Sequence, residues 1–137
     1  MSERITVVQP DGFLQPKGYA NGVVTQGGRT LHIAGQIAWD GEGKFASHEL
    51  VGQFAITLDN VLAVVAAAGG SPSDVVRMTA YVTDLDAYRS GAGKLGPIWR
   101  ERFGRHYPAM ALVGVTGLVH PSALIEIEAV ANLPDLP

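Results

Sequence analysis

The amino-acid sequence predicts a single α+β domain in which two helices lie on one face of a β-sheet. The chain has 137 residues, enough to bury a core without disulfide staples. Hydrophobic residues make up 47% of the chain and charged residues 17%, as in an ordinary globular protein. Strand-like and helix-like segments follow one another in the order β-β-(β)-α-β-α-β-β, which is typical of the α+β class. The prediction is therefore one domain over residues 1–137.

The first strands lie in a region rich in glycine and proline. Residues 5–8 are predicted to form a short edge strand. Residues 23–26 and 29–34 are strand-like and flank Gly27 and Gly28. The primed turns of tight hairpins need positive φ, which glycine adopts at little cost, so this arrangement predicts a β-hairpin.

A long amphipathic helix is predicted next. Ser47 is a suitable N-cap, and Gly69-Gly70 end the helix because glycine takes the left-handed C′ conformation cheaply. The apolar residues that recur at helical spacing between them are Leu50, Phe54, Leu58, Val61, Leu62 and Val65.

A one-turn helical start with Pro72 at N1 leads into a predicted strand at residues 75–83. Residues 86–103 are helical in composition but contain several helix breakers. The breakers are Gly91, Gly93, Gly96 and Pro97. They predict a broken helix whose dependable part is residues 97–103, with Gly104 as its stop.

Two closing strands are predicted at about residues 109–117 and 123–131. Apolar side chains point to both faces of the strands. Val75 and Tyr81 lie on the face opposite Val76, and Ala111 and Val113 lie on the face opposite Leu112. The helices can cover only one face. A sheet that is apolar on both faces is usually covered on both, so the sequence predicts that another subunit covers the second. The alternative is a monomer with scattered exposed apolar residues.

Composition excludes several classes of function. The absence of cysteine excludes disulfides, a thiolate nucleophile and cysteine-ligated metals, and it suits a reducing cytoplasm. The net charge of −3 gives no electrostatic reason to expect nucleic acid or an anionic membrane as a partner. Residues 1–6 lack the apolar segment of a secretory signal, and the longest apolar stretch, residues 61–68, is too short to span a bilayer. The four histidines show no metal-ligand spacing, so no metal site is expected.

A few residues are candidates for chemistry, each with a plainer alternative. Glu126 and Glu128 share one face of a strand, which suits acid/base work but is also common on a solvated face. Gln36, after Gly35 at the end of a strand, could hold a substrate or water, or only the backbone. Tyr19 could cover a pocket with its ring or simply pack on the surface.

A small basic cluster lies near the end of the second helix. It consists of Arg100, Arg102, Arg105 and His106. Complementing the helix dipole explains this placement, and an RNA-binding patch is the alternative.

Several motifs, in their order and spacing, resemble the Rid family (YjgF/YER057c/UK114) from about Tyr19 to Ala131. The matching pieces are Tyr19, residues 31–37, Gln53, residues 58–61, residues 68–70 before 74–76, Pro108-Ala109, and residues 126–129. The resemblance implies a chorismate-mutase-like (bacillus-type) fold: a mixed β-sheet with two helices on one face. It also implies a homotrimer with a β-barrel core and ligand sites in the clefts between subunits.

The resemblance also implies a chemistry without a cofactor: hydrolysis of reactive enamines and imines, such as 2-imino acids, to 2-keto acids and ammonia. Glu126 would position the attacking water, Tyr19 would close the cleft from a neighbouring subunit, and Gly35 with Gln36 would line it. Active deaminases of the family carry an arginine after Pro-Ala that grips the substrate carboxylate, and Met110 stands there. Arg29 and Arg77 are candidates for a substitute cation.

Three hypotheses about function follow from this resemblance and from the residues that depart from it. The first is a Rid-type hydrolase or deaminase acting on a small enamine, imine or related metabolite whose recognition group is less acidic than a 2-imino acid or uncharged. The second is a non-catalytic trimer that binds a small molecule in the same clefts. The third, ribonuclease or translation-inhibitor activity, is disfavoured by the negative net charge and the lack of an evident nucleophile.

Overall fold

The computed structural model describes residues 3–137 and confirms the α+β class. The elements, in chain order, are β1 (Ile5–Val8), β2 (Gly22–Thr25), β3 (Arg29–Gln36), α1 (Leu50–Ala67), a 3₁₀ turn (Pro72–Asp74), β4 (Val75–Val82), α2 (Leu85–Phe103), β5 (Ala109–Gly114) and β6 (Ile125–Leu133). Strands β1 and β2 form a small sheet of their own, and the other four form a sheet of order β3-β6-β4-β5. Both helices pack on one face of the larger sheet, as predicted.

The larger sheet is mixed. Strand β6 runs antiparallel to β3 on one side and to β4 on the other, whereas β5 runs parallel to β4. The parallel pair needs a crossover, and α2 supplies it. The closing strands β5 and β6 are therefore not paired with each other, because β4 lies between them.

The predicted hairpin around Gly27-Gly28 is wrong. Strand β2 pairs with β1, and β3 pairs with β6, where Arg29 faces Leu133. Both glycines do take positive φ, 69° and 73°. A Cβ on Gly28 would collide with the carbonyl of Leu133, and the side-chain amide of Asn132 donates to the carbonyl of Gly27 at 2.9 Å. The turn is thus held by β6 and carries the chain from one sheet to the other.

Helix α1 begins later than the sequence suggested. Its N-cap is Glu49, which makes no side-chain capping bond, and the predicted cap, Ser47, accepts a bond from the Glu49 N–H before the helix starts. Gly69 ends the helix with φ of 84°, as predicted. The 3₁₀ turn has Pro72 at its first position, also as predicted.

Gln53 joins the start of α1 to the loop before β6. It is fully buried, and its side-chain amide donates to the carbonyls of Ser47 and Ser122 at 3.1 and 2.9 Å. Its side-chain oxygen accepts from the Leu124 N–H at 2.8 Å. Both N–H groups and the oxygen of this buried side-chain amide therefore have hydrogen-bond partners within the protein.

Helix α2 is continuous, so the predicted break at its glycines and proline is wrong. The Asp84 side chain caps it by accepting from the Ala87 N–H at 3.1 Å. At Gly91 an added Cβ would lie 3.2 Å from the side chain of Val51, so this glycine allows α2 to approach α1 closely. Packing of the buried residues Leu95, Trp99 and Phe103 offsets the weak helix propensity. Gly104 stops the helix as predicted, with φ of 62°.

The closing strands are shifted from their predicted bounds. β5 ends at Gly114 rather than near 117, and β6 runs from Ile125 to Leu133 rather than from 123 to 131. By length and composition α1 could cross a membrane, with a mean hydropathy of 1.7. Core helices pass the same test, and Leu58 and Val61 of α1 are fully buried against the sheet.

The sheet face away from the helices, called here the outer face, is less apolar than predicted. Val75, expected there, is buried on the helix side because the pairing of β4 with β6 shifts between Val75 and Arg77. The centre of the outer face is polar. Its side chains there are Arg77, Thr79 and Tyr81 on β4 and Glu126 and Glu128 on β6. Along β5, at Ala111 and Val113, it is exposed and apolar as expected.

Candidate functional site

Two of the predicted site residues, Gly35 and Glu126, lie against each other. Gly35 is on β3 where its pairing with β6 is irregular, between Ile33 and Gln36. A Cβ on Gly35 would lie 2.8 Å from the carboxyl carbon of Glu126 and 3.0 Å from its Cγ. Since real Cβ contacts are almost never this short, only glycine leaves room for the Glu126 side chain in this position.

Glu126 and Glu128 share the outer face but differ in their bonding. The Tyr81 hydroxyl donates to Oε1 of Glu128 at 2.7 Å. This hydrogen bond, with the nearby negative charge, raises the pKa of Tyr81 above its usual value. Glu126 is half-buried, and its carboxylate makes no hydrogen bond or ion pair with any of residues 3–137. Of the two carboxylates, Glu126 is the one with both oxygens available to a ligand or water, whereas one oxygen of Glu128 is taken by Tyr81.

Gln36 lies beside this pair but is engaged locally. It pairs with Ile127, next to Glu126 on β6. Its side-chain amide donates to the carbonyl of Ala34 at 3.0 Å, which is the backbone-holding role given above as the alternative.

Met110 lies on the other side of the sheet. It points from β5 toward the helices and lines a cavity of about 690 Å³ between β5, α2 and residues 16–18. The wall also contains aromatic and cationic side chains. The lining residues are Pro16, Lys17, Gly18, Phe54, Tyr88, Ala92, Gly93, Leu95, Gly96, Trp99, Arg100, Tyr107, Met110 and Leu112. Because the sheet separates Met110 from Glu126, one chain cannot place both against the same small ligand.

Tyr19 lies next to this cavity without lining it. Gly18 is part of the wall, and the Ala20 N–H donates to the carbonyl of Pro108 at 2.9 Å, which ties the segment to the start of β5. The Tyr19 side chain is 37% exposed. It is therefore positioned at the edge of β5, where a neighbouring molecule can reach it.

Sequence reasoning missed the aromatic wall of the cavity. The Trp99 ring stacks on Phe103 with centroids 4.1 Å apart and on Tyr107 at 5.8 Å, and its N–H donates to the His106 carbonyl. The spacing of Trp99 and Phe103, four apart on one helix face, was the available signal. It could not reveal Tyr107, which reaches the cavity from beyond the helix.

The basic cluster at the end of α2 does not form one patch. Arg102 forms a bidentate pair with Asp59 of α1 at 2.7 and 3.2 Å, whereas Arg100 lines the cavity. The two proposed substitute cations lie elsewhere. Arg29 donates to the carbonyl of Pro134, and Arg77 is on the outer face.

The histidines are used in packing and local bonds. His106 bonds the carbonyl of Val75 through Nε2 at 2.6 Å, and His120 packs between Trp39 and Phe45. Within residues 3–137 no group of three or more potential metal ligands comes together.

Comparison with known proteins places this geometry in context. Residues 14–133 match the family model described as Endoribonuclease L-PSP. A RutC family protein of Pyrococcus horikoshii is 36% identical over 105 residues, which cover 76% of this chain and 79% of the relative. An Escherichia coli protein provisionally named reactive intermediate deaminase TdcF is 30% identical over 134 residues, covering 96% and 97%. The crystal structure of YyfB from Yersinia pestis, described as a conserved Rid family protein of unknown function, superposes with a TM-score of 0.83 at 34% identity, covering 96% of this chain and all of that one.

Proposed function

The chain belongs to the Rid (YjgF/YER057c/UK114) family, and from that premise we propose that it is a cofactor-free hydrolase that deaminates a small reactive enamine or imine. The fold is the chorismate-mutase-like fold of that family, with two helices on a mixed sheet. The provisional name of TdcF supports a general deaminase role. The substrate and the residues that act on it are the parts that this proposal adds.

The observation that carries the proposal is the carboxylate of Glu126 held against Gly35. A carboxylate with available lone pairs can accept a proton from water as the water oxygen attacks an imine carbon. Glu126 returns that proton to the imine nitrogen, so the adduct carries a hydroxyl and an amino group on one carbon. When the C–N bond breaks, the hydroxyl proton passes through the same carboxylate to the departing amino group. Imine and water are thus converted to ketone and ammonia. Glu128 is less suited to this role because the Tyr81 hydroxyl already takes one of its oxygens.

The site is completed by a second copy of the chain. Met110 and Glu126 are on opposite faces of one sheet, so a ligand that touches both must lie between two molecules. The uncovered outer face and its apolar β5 edge support the homotrimer that the family resemblance implies, with Tyr19 closing the cleft. Sedimentation equilibrium tests this assembly, and a monomer at micromolar concentration would contradict it.

Met110 changes what the site recognises. An arginine–carboxylate pair makes two charge-assisted hydrogen bonds, at roughly 1.5–3 kcal/mol each. Methionine offers no donor, only a soft apolar surface. Without another cation, affinity for a 2-imino acid would fall by about two orders of magnitude or more.

Imine hydrolysis tests the function directly. An amino-acid oxidase generates 2-imino acids in the assay, and semicarbazide traps whatever remains. Although Met110 weakens the binding of a 2-imino acid, we expect wild type to shorten the lifetime of the imine when the imine is generated in excess, and Glu126→Gln to abolish this effect with the assembly intact. Glu128→Gln is the matched control on the same strand and should retain activity. Equal activity of Glu126→Gln and wild type would refute the assigned role.

Met110→Arg run beside wild type shows which substrate the scaffold prefers. If only this variant clears 2-imino acids, the natural substrate lacks the carboxylate. If neither clears any imine, the site does not perform this chemistry.

The apolar, aromatic cavity beside Met110 favours a second candidate, a non-catalytic trimer that binds a small molecule. Thermal-shift screening tests it, since a ligand that binds only the folded state raises the melting temperature. A panel of apolar ligands that all leave the melting temperature unchanged would count against this candidate.

Two further aspects belong to the proposal. The family description names an endoribonuclease, but the net charge of −3 opposes RNA binding, and we expect no RNA cleavage in metal-free, carefully purified protein. We also propose a cytoplasmic location, which the lack of cysteine suits. Cell fractionation tests the location.

A further inference from the structure

The cavity beside Met110 has cations in its wall. Among residues 3–137, the charged residues that line it are Lys17 and Arg100, and no aspartate or glutamate does. The remaining wall is mainly apolar and aromatic, with Phe54, Trp99 and Tyr107 among its residues. An apolar surface with a few convergent cations attracts a ligand that is itself apolar with one anionic end.

Arg100 lies over a gap in the surface of α2. Its Nη1 atom is 3.1 Å from the point where a Cβ on Gly96 would stand, so the guanidinium folds back along the helix across the bare glycine. Within residues 3–137 Arg100 makes no ion pair or side-chain hydrogen bond. Arg102, two positions later, is engaged by both Asp59 and the Ile98 carbonyl. The charge of Arg100 is therefore available at the cavity, whereas that of Arg102 is used to join the helices.

We propose that this cavity binds a small aromatic monocarboxylate and that Arg100 holds its carboxylate, so that a cation on α2 replaces the one missing at position 110. The aromatic part would lie against the soft Met110 side chain and the rings of Trp99 and Tyr107. The planar guanidinium matches a carboxylate through two parallel hydrogen bonds, with Lys17 as a second positive charge. The claim that the substrate belongs to this class of ligand rests on the proposed function. The claim that the cavity binds such a ligand does not depend on it.

The cavity suits a monocarboxylate better than a phosphate ester. A phosphate dianion presents three strongly accepting oxygens and is usually met by several donors. This wall offers two cationic side chains in apolar surroundings. These two groups can engage both oxygens of a carboxylate, whereas the third oxygen of a phosphate would face apolar surroundings without a charged partner.

Isothermal titration calorimetry with two matched probes tests this assignment. Phenylacetate carries the carboxylate, and phenylacetamide replaces it with a neutral group of the same shape. We expect phenylacetate to bind wild type at least about tenfold more tightly than the amide, and Arg100→Gln to remove that difference. Arg105→Gln, at an exposed arginine of the same basic cluster outside the cavity, is the matched control for net charge and should bind as wild type does.

Several outcomes would overturn the inference. These are equal affinity for the two probes, an unchanged preference in Arg100→Gln, equal loss in Arg105→Gln, or no binding of either probe at millimolar concentration. Tighter binding of phenyl phosphate than of phenylacetate would overturn the choice of carboxylate. Circular dichroism of each variant separates loss of binding from loss of fold, and Arg100→Lys should retain part of the preference.

The test also separates this inference from the proposed function. Glu126→Gln should bind phenylacetate while failing to hydrolyse imines. Wild type that binds phenylacetate through Arg100 but hydrolyses no imine would support the carboxylate site and refute the hydrolase. Wild type that clears imines but binds phenylacetate no more tightly than phenylacetamide would support the hydrolase and refute the carboxylate site.

Discussion

A substitution at Gly35 can displace the proposed catalytic carboxylate of Glu126 while leaving Glu126 itself unchanged. The backbone at Gly35 is outside the left-handed region, so alanine fits its conformation. The added methyl group would meet the Glu126 carboxyl carbon at 2.8 Å, and ordinary contact begins at 3.4 Å. In Gly35→Ala the carboxyl group must therefore move by at least about 0.6 Å, and misplacement on the order of 1 Å costs a reaction about 100-fold.

We expect Gly35→Ala to lower kcat for imine hydrolysis by about 10- to 100-fold. Stability should change by less than about 1 kcal/mol, since alanine at a compatible glycine position gains about 0.4–1 kcal/mol, which offsets the shift of one flexible side chain. Imine clearance and urea denaturation measure the two effects. Gly41→Ala is the control, because an added Cβ there would meet nothing within 4 Å.

A double-mutant cycle shows whether the effect acts through Glu126. In a Glu126→Gln background, Gly35→Ala should reduce residual activity no further, because the group that it displaces is already inactive. Wild-type activity in Gly35→Ala, or an equal loss in both backgrounds, would refute the reasoning.

Three further predictions concern bonds away from the cavity. Gln53→Ala should lower the free energy of unfolding by about 2–4 kcal/mol, because three part-buried backbone groups lose their partner and the fully buried side chain leaves a cavity. A change below about 1 kcal/mol in urea denaturation would contradict this. Asp59→Asn should cost about 0.5–1 kcal/mol by breaking the pair with Arg102, and the cost should shrink in 1 M salt. The phenol of Tyr81 should titrate above its usual pKa, and Glu128→Gln should bring that pKa back. Absorbance at 295 nm follows the ionisation of this phenol. Because the pKa of Tyr81 is higher in the folded state than in the unfolded state, the stability that Tyr81 contributes is complete below the unfolded pKa and is lost as pH rises through the folded pKa.

The sequence predicted elements whose signals are local. Gly69 and Gly104 marked the ends of α1 and α2, and Pro72 marked the short turn, because each acts through its own backbone conformation. The break predicted within α2 was wrong for a tertiary reason. Gly91 lies where α2 packs closely on α1, and such packing outweighs intrinsic helix propensity.

Strand pairing depends on partners that are distant in the sequence. Gly27-Gly28 has the composition of a hairpin turn, but the bond from Asn132 decides where that turn leads. The face of Val75 depended on an irregular pairing with β6 that alternation cannot show.

The candidate site was predictable in part. Glu126 and Gly35 were found through resemblance, and the structure adds that they are in contact and that Glu128 is occupied. Arg100 was assigned to the helix dipole because nothing in its neighbours along the chain distinguishes it from Arg102. Only the packing of α2 against β5 places one arginine at a cavity and the other in an ion pair.

The central position of β6 has a consequence for how the molecule is made. Arg29 pairs with Leu133, roughly a hundred residues later, and β4 also needs β6 on its inner edge. During synthesis, the edges of β3 and β4 that pair with β6 therefore stay unpaired until β6 has left the ribosome. A sheet whose inner strand is synthesised last exposes unpaired strand edges to other nascent chains. Growth temperature and chaperone supply should thus affect the yield of this protein, since both act on the chain while these edges are unpaired.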